Sequence, residues 1–597
     1  MSVNEALAEK FRAISRMLEV LGEDKFRVLA HEKAARAIEG LAVDVATLAD
    51  NRAALLDIEG IGVKTADKII EFCTTGHIAE FDELAAKVPE GVLALMDVPG
   101  LGPKTVSLLW KERGVTDIAG LNKIIDDGSI LTLPRMGKKT VENIKASLAF
   151  MAEAGERLPI GLAQPVAEAF VDAMTRVKGV TQAAFAGSLR RGRDTIGDID
   201  VLVATTDAAG AHEAFRALPG VEQVLVAGET KSSVRARASI HHGRFEAGHG
   251  GPLVHVDLRT VAPSQWGAAM AYFTGSKDHN VRLRERALKL GFTLNEYGLF
   301  PIDDQKTAPQ HRGVKPVASE TESDIYKALG VPYLPPEVRE DHGELDADST
   351  PKLIELSDIK AELHAHTTAS DGSLSLEALI EHAIARGFHT IAVTDHSRSA
   401  IQANGLTPDR LKTQAADIRA ARERHKDIQI LHGSEVDILG DGRLDFDDDV
   451  LASLDIVVAS PHVALAQDSA TATARLIKAI ENPFVHILGH PTGRLIGRRK
   501  GLEPAMAEVI AAAKEHNVAL EVNAHWLRLD LRDSHVKAAV EAGCDIAIDC
   551  DVHAAEDFDH LRYGVTTARR GWLTKAQCVN AWTAKKIAAW LKARRNP

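Results

Sequence analysis

Two groups of residues in this 597-residue chain have the types and spacing to hold metal ions. In the carboxy-terminal part, apolar segments that read as strands end in ligand types: His364-x-His366, Asp371, His396 in TDH, Glu435 in GSE, His462 in SPH, His490 in LGHP, and Asp551-x-His553. Residues two apart on a strand share a face, so each paired motif can chelate. Nine donors are too many for one tetrahedral ion and suit two or three divalent ions bridged by carboxylate or water. Clustered ions of this kind generate hydroxide at neutral pH and clamp both oxygens of a phosphoester displacement. The chemistry expected there is phosphoester hydrolysis.

The second group is central. In GDIDVLV, Asp198 and Asp200 share one face of a strand whose Ile199, Val201 and Val203 turn to the core. In LVHVDLRT the same alternation sets His255, Asp257 and Arg259 opposite Val254, Val256 and Leu258. Paired carboxylates repel unless a cation lies between them, and Mg²⁺, with its preference for oxygen ligands and substrate phosphates, is the natural partner. Three such acids can hold two ions for in-line nucleotidyl transfer. Upstream, the Gly187-Ser188 turn can offer backbone N–H and a hydroxyl to phosphate, and Arg191 adds a charged donor.

These groups need three kinds of scaffold. Residues 1 to about 150 read as short helices with apolar spacing of three and four, and they contain a repeat. LLDIEGIGVKTADKII (55–70) and LMDVPGLGPKTVSLLW (95–110) share G-x-G-x-K-T before an apolar helix, with a degenerate copy at 133–144. From about 160 to 330 helix and strand mix. The Pro- and acid-rich stretch 330–351 reads as a connector. Beyond it, seven strand-like runs separated by helices predict a parallel (β/α) barrel, whose strand ends converge on one face. The amino terminus is amphipathic and charged, with no apolar export core, and the four cysteines are scattered, so a cytoplasmic protein without membrane attachment is expected. The net charge of −13 argues against a generic nucleic-acid binder.

The barrel segment, with ELHAHTTASDGSLSLEALIEHAIARGFHTIAVTDHS, SEVDIL, LGHPTGRLIGRRKG and DVH, resembles a PHP domain, named for polymerase and histidinol phosphatase. The resemblance implies a distorted (β/α)7 barrel with a site of two to three Mn²⁺ or Zn²⁺ ions on His364, His366, Asp371, His396, Glu435, His462, His490, Asp551 and His553. It also implies a 3′–5′ exonuclease or related phosphoesterase. The basic block Arg494, Arg498, Arg499 and Lys500 is a candidate grip for a DNA backbone. One segment departs from the family: NAHWLRLDL (523–531) puts His525 and Trp526 where Pro-containing sequence is expected.

Residues 1–330, with GSLRRG, GDID, HVDLR, YFTGSKDHN and GFTLNEYGLF, resemble family X DNA polymerases. That implies an α/β nucleotidyltransferase palm with a thumb, in which Asp198, Asp200 and Asp257 bind Mg²⁺ or Mn²⁺ and Asp257 helps activate the primer hydroxyl. It implies further that Gly187, Ser188, Arg191 and Gly197 hold the triphosphate, that Tyr272, Phe273 and Gly275 line the sugar pocket, and that Asn280 approaches the base edge. The glycine repeats resemble helix-hairpin-helix motifs, in which Gly60, Gly62 and Lys64, and Gly100, Gly102 and Lys104, meet DNA phosphates through backbone amides and lysines. Lys68 stands at the family's Schiff-base lysine, the candidate nucleophile of a lyase step that excises a 5′-deoxyribose phosphate, with Arg27, His31 and Lys64 where 5′-phosphate contacts are expected.

The expected organisation is therefore multidomain. An all-α helix-hairpin-helix head (1–85 and 86–155) precedes the palm (156–260), thumb (261–329), linker (330–356) and barrel (357–597). The expected function is a monomeric, DNA-directed DNA polymerase filling gaps in gapped or primed DNA from dNTPs, coupled to 3′-end processing and working at nucleoid DNA. Its rivals are a nucleotidyltransferase on RNA or a small molecule with a phosphatase barrel, and a non-catalytic DNA-end scaffold.

Overall fold

The computed structural model describes residues 3–39, 45–58, 60–98, 101–134, 136–142, 144–145, 148, 157–237, 239–241, 244–246, 253–305, 307–347 and 349–595. The chain forms two compact units, Met1–Gly155 with Gly497–Lys500, and Glu156–Ile496 with Gly501–Pro597. Among the described residues no helix is long and apolar enough to cross a membrane.

The first unit is helical. In α1 (Val3–Leu21), Leu7, Phe11, Ile14 and Leu18 recur at spacings of three and four and are fully buried, largely against α2 (Lys25–Glu39). Burial of each such side chain stabilises by about 1.5–3 kcal/mol. The helices of the two glycine repeats begin alike. Both α3 (Val63–Thr75) and α4 (Pro103–Arg113) begin at an extended glycine, Gly62 (φ −90°, ψ 174°) and Gly102 (φ −76°, ψ 167°). Neither helix has a side-chain cap at that end, which leaves its first amides to water or a ligand. Gly60 turns the chain at φ +93°, a region costly for any other residue. Gly100 lies outside the described residues.

The second unit opens with a five-stranded sheet of β1 (Val180–Phe185), β2 (Ile199–Thr205), β3 (Val221–Ala227), β4 (Lys231–Arg237) and β5 (Leu253–Val261), in the order β1-β2-β5-β4-β3. The β2 and β5 strands are parallel, with Asp200 directly beside Asp257. As the alternation predicts, Ile199, Val201, Val203, Val254, Val256 and Leu258 lie in one core with Phe170 of α5 (Ile160–Thr175). The carboxylates are thereby turned to the other face. A short helix, α6 (Gly187–Arg190), leads towards β2, and α7 (Trp266–Thr274) and α8 (Lys277–Lys289) follow β5.

Seven parallel strands then run in sequence order: β6 (Ala361–Glu362), β7 (Thr390–Val393), β8 (Gln429–Asp437), β9 (Ile456–Ser460), β10 (Ile487–Leu488), β11 (Ala519–Asn523) and β12 (Ile546–Asp549). They are buried along almost their whole length, as parallel strands covered by helices are. A parallel bridge between Ala365 and Val552 brings the ends of the first and last strands together and nearly closes the barrel.

The stretch expected to be a linker is folded. Val331, Leu334, Val338, Leu345 and Leu353 are buried in a core shared with Leu283 and Tyr326. Arg339, wholly buried, pairs with Glu322 at 2.5 Å, and Glu344 lies 2.6 Å from the buried His279. Composition misled here because its charges are paired with residues distant in sequence, whereas a solvated linker would leave them in water.

Candidate active sites

In the sheet, one ligand atom from each of Asp198, Asp200 and Asp257 lies within 4.8 Å of the others. Burial, and then the charges of Asp198 and Asp257, push Asp200 up to about 7. Burial acts on Asp257 too, but hydrogen bonds from Lys231 and Ser233 outweigh it and hold that acid below its ordinary value. Lys231 Nζ is 2.6 Å from Asp257 Oδ2, and Ser233 Oγ donates to Oδ1 at 2.5 Å. Sequence reasoning missed both, although the alternation in KSSVRAR places them on one face of β4, with Ser233 directly across from Asp257. Three acids facing one another, one with its charge disfavoured, suit divalent cations held through oxygen.

Gly187 approaches this group so closely, at φ +62°, that a Cβ there would come within 2.1 Å of Asp200 Oδ2. Arg191 donates to Glu340 at 3.0 Å and to the Thr274 carbonyl at 2.9 Å. Tyr272 and Phe273 meet edge to face at 5.2 Å, and the guanidinium of Arg259 lies over Phe273 at 4.7 Å. Asn280, expected at a base edge, instead gives its amide hydrogens to the carbonyls of Tyr272 (2.7 Å) and Gly275 (3.1 Å). Its place is to hold that turn, and a Cβ on Gly275 would meet its Oδ1 at 2.5 Å.

At the barrel's strand ends the nine predicted ligands converge in overlapping groups. His366, Asp371, His396 and His553 form one, His364, His366, Glu435 and Asp551 a second, and His396, Glu435 and His462 a third. His490 joins through Nε2, 2.8 Å from Glu435 Oε1. Glu435 is the hub: its carboxylate also lies 2.8 Å from His396, 3.3 Å from His462 and 3.4 Å from His364. Burial disfavours its charge, yet His462, His396 and His364 hold it well below the ordinary range. Buried atoms of the group without hydrogen-bond partners include His364 Nε2, both nitrogens of His366, Glu435 Oε2 and Asp551 Oδ1. Such orphaned donors and acceptors facing one another fit bound ions. His490 and Asp551 also carry positive φ, 23° and 55°, strained backbone of the kind that gathers at functional sites.

Behind the ligands stands a layer that sequence reasoning did not pick out. Glu521 lies 2.6 Å from His364 Nδ1 and accepts the His490 backbone N–H at 2.6 Å. Asp437 contacts His462 Nδ1, and Asn523 donates to Asp551 Oδ2 at 3.0 Å. These partners fix which imidazole nitrogen faces an ion. Arg494, expected to grip a DNA backbone, is buried instead. It donates to the carbonyls of Arg528 and Leu529 and to Asp194 at 3.1 Å, tying the barrel to the sheet domain.

In the helical unit, Arg27, His31 and Lys68 do come together, around a carboxylate that was not foreseen. Glu80 lies 2.5 Å from Arg27, 3.2 Å from His31 and 2.6 Å from Lys68. Hydrogen bonding to His31, and then to Lys68 and Arg27, holds Glu80 well below its ordinary value against the cost of burial.

Comparison with known proteins gives four family matches: a helix-hairpin-helix domain over 2–78, a helix-hairpin-helix tandem over 92–149, a DNA polymerase beta thumb over 269–340, and a PHP domain over 362–525. The chain is 38% identical to DNA polymerase/3′–5′ exonuclease PolX of Bacillus subtilis, across 96% of this chain and 97% of that protein. It is 27% identical to rat DNA polymerase lambda over 56% of each. Over 39% of its length, and 94% of the other's, it is 27% identical to a "probable phosphatase" of Thermoanaerobacter.

Proposed function

The chain belongs to the family X DNA polymerases that carry a PHP domain, and from that premise we propose how its residues divide the work. It is a gap-filling DNA polymerase joined to a metal-dependent 3′–5′ exonuclease or phosphoesterase. In our reading, Asp198, Asp200 and Asp257 hold two Mg²⁺ or Mn²⁺ ions, and the nine barrel ligands hold two to three Mn²⁺ or Zn²⁺ ions. Bound there, such ions would polarise the phosphoryl oxygens and make the attacking hydroxyl or water acidic. The protein's part is to aim the groups. Asp257, braced by Lys231 and Ser233, faces the primer 3′-hydroxyl, while the N–H groups of Gly187 and Ser188, with Arg191 and Gly197, receive the triphosphate. Tyr272, Phe273 and Gly275 line the sugar pocket. The substrates are dNTPs on gapped or primed DNA, and the protein works as a cytoplasmic monomer at the nucleoid.

The uncapped helix starts at Gly62 and Gly102, with exposed Lys64 and Lys104, support phosphate contacts that read no sequence. Gly60 and Gly100, equivalent in the sequence repeat, are assigned the same phosphate contacts. We keep the expected domain limits but assign 330–356 to the thumb on account of its buried core. An amine nucleophile needs its lone pair free. Lys68 is engaged by Glu80, so no lyase step is assigned to it.

The observation that carries this reading is the presence, in one unit, of a three-carboxylate cluster and a separate cluster of eight ligands that His490 joins through Glu435. A gapped, 5′-labelled primer assayed with and without dNTPs in Mg²⁺, Mn²⁺ and Zn²⁺ tests it. Asp257→Ala should abolish extension and spare shortening of the primer, and His364→Ala should do the reverse. Loss of both activities from either change would overturn the two-centre assignment.

A further inference from the structure

The segment that departs from the family, 523–531, brings His525 beside a short 3-10 helix, Ala555–His560, which follows the ligand pair Asp551 and His553. One ligand atom from each of His525, Asp557 and His560 lies within 4.8 Å of the others, and none of the three belongs to the nine-ligand cluster. The two imidazoles meet edge to face, 4.6 Å apart. The chain has already committed the atoms on the far side of each group. His525 Nδ1 accepts the Leu527 N–H at 3.2 Å, which leaves Nε2 as the nitrogen for an ion. Asp557 Oδ2 accepts the backbone N–H groups of His553 (2.8 Å) and Ala554 (2.7 Å), which leaves Oδ1. His560 Nδ1 is buried without a hydrogen-bond partner, 3.6 Å from that oxygen.

We propose that His525, Asp557 and His560 form a separate divalent-cation site of the zinc class. Two neutral imidazoles and one carboxylate are a common zinc donor set, with the fourth tetrahedral position left to water. With bonds of about 2 Å, donors on one tetrahedral ion sit about 3.3 Å apart; His560 Nδ1 and Asp557 Oδ1 are already at 3.6 Å, and His525 draws in from within 4.8 Å.

The position says what the ion does. Trp526, stacked on His525 at 5.7 Å, presses on the palm helix α5, where a Cβ on Gly161 would come within 2.2 Å of the indole. The helix α9 (Leu561–Arg570) starts immediately after His560 and sends Arg562 to Glu168 of α5 at 3.1 Å. An ion joining His525 to His560 therefore cross-links the two barrel segments that grip the palm. It is a brace on the seam, apart from the hydrolytic centre.

The test is zinc content of the full chain after equilibration with Zn²⁺ and removal of free metal. His525→Gln combined with His560→Gln should lower the stoichiometry by one ion per chain and leave primer shortening within about twofold of the parent. An unchanged stoichiometry overturns the site. A second measurement needs no variant. Diethylpyrocarbonate modification of the parent protein, read peptide by peptide, should be suppressed at His525 and His560 by Zn²⁺. Equal modification of both with and without the ion overturns the proposal even if the variant fails to fold.

Discussion

Glu521 illustrates how a residue that touches no ion can govern one. It orients His364 through Nδ1 and fixes the His490 backbone, so two ligands depend on it. Burial pushes Glu521 up to about 7, against the pull of His364. Glu521→Gln should weaken ion binding in the barrel by about 10–100-fold and raise the Mn²⁺ needed for half-maximal primer shortening, with primer extension unaffected. Unaltered Mn²⁺ dependence would show that the contact is incidental. Asp200 carries a prediction about pH. Its carboxyl, raised to about 7, is protonated below that value and must lose the proton to take a cation. The half-saturating Mg²⁺ for extension should therefore rise as pH falls from 8 to 6, approaching tenfold per unit below 7. Excess Mg²⁺ should restore the rate. A flat Mg²⁺ requirement across that range would contradict the raised value. The ligands were legible because all but Asp371 stand at or near the end of a strand-like run, as polar residues after apolar ones. Glu521, Asp437 and Ser233 were not, because inside a strand an acid or hydroxyl looks the same whether it faces water or a buried imidazole.

At the scale of elements, period-two alternation in β2 and β5 correctly gave the faces on which the carboxylates stand. Seven apolar runs likewise gave the barrel and its strand order. The α6 turn required more than alternation: only a residue without Cβ can pass Asp200 at φ +62°. Gly187→Ala should displace either the turn or the carboxylate by about 1 Å, which costs on the order of 100-fold in extension, while the barrel's activity stays. Extension within twofold of the parent would mean that the turn is not part of the polymerase centre. Composition failed at 330–356 because its order comes from pairs far apart along the chain, such as Arg191 with Glu340 and Glu337 with Arg569. Local patterns carry no trace of such partners.

At the scale of the molecule, the palm's core includes barrel residues Ile496, Leu529 and Tyr563. Glu340, at the end of the thumb match, lies between Arg191, just after α6 (3.0 Å), and Arg570 of the barrel (2.9 Å). Arg570 also donates to the Arg191 carbonyl at 2.7 Å and pairs with Asp533. A chain ending at 350 would strand these charges and expose that apolar surface, and removing one member of a buried pair typically costs about 3–5 kcal/mol. Such a truncation should be poorly soluble or extend primers at least tenfold more slowly at limiting dNTP. A soluble, fully active 1–350 fragment would refute the coupling. The Arg191–Glu340–Arg570 contact thus bears on what a cell can lose. On that coupling, a mutation or proteolytic cut that unfolds the trimming domain should disable synthesis with it, so that damage to the editor does not leave behind an unedited polymerase.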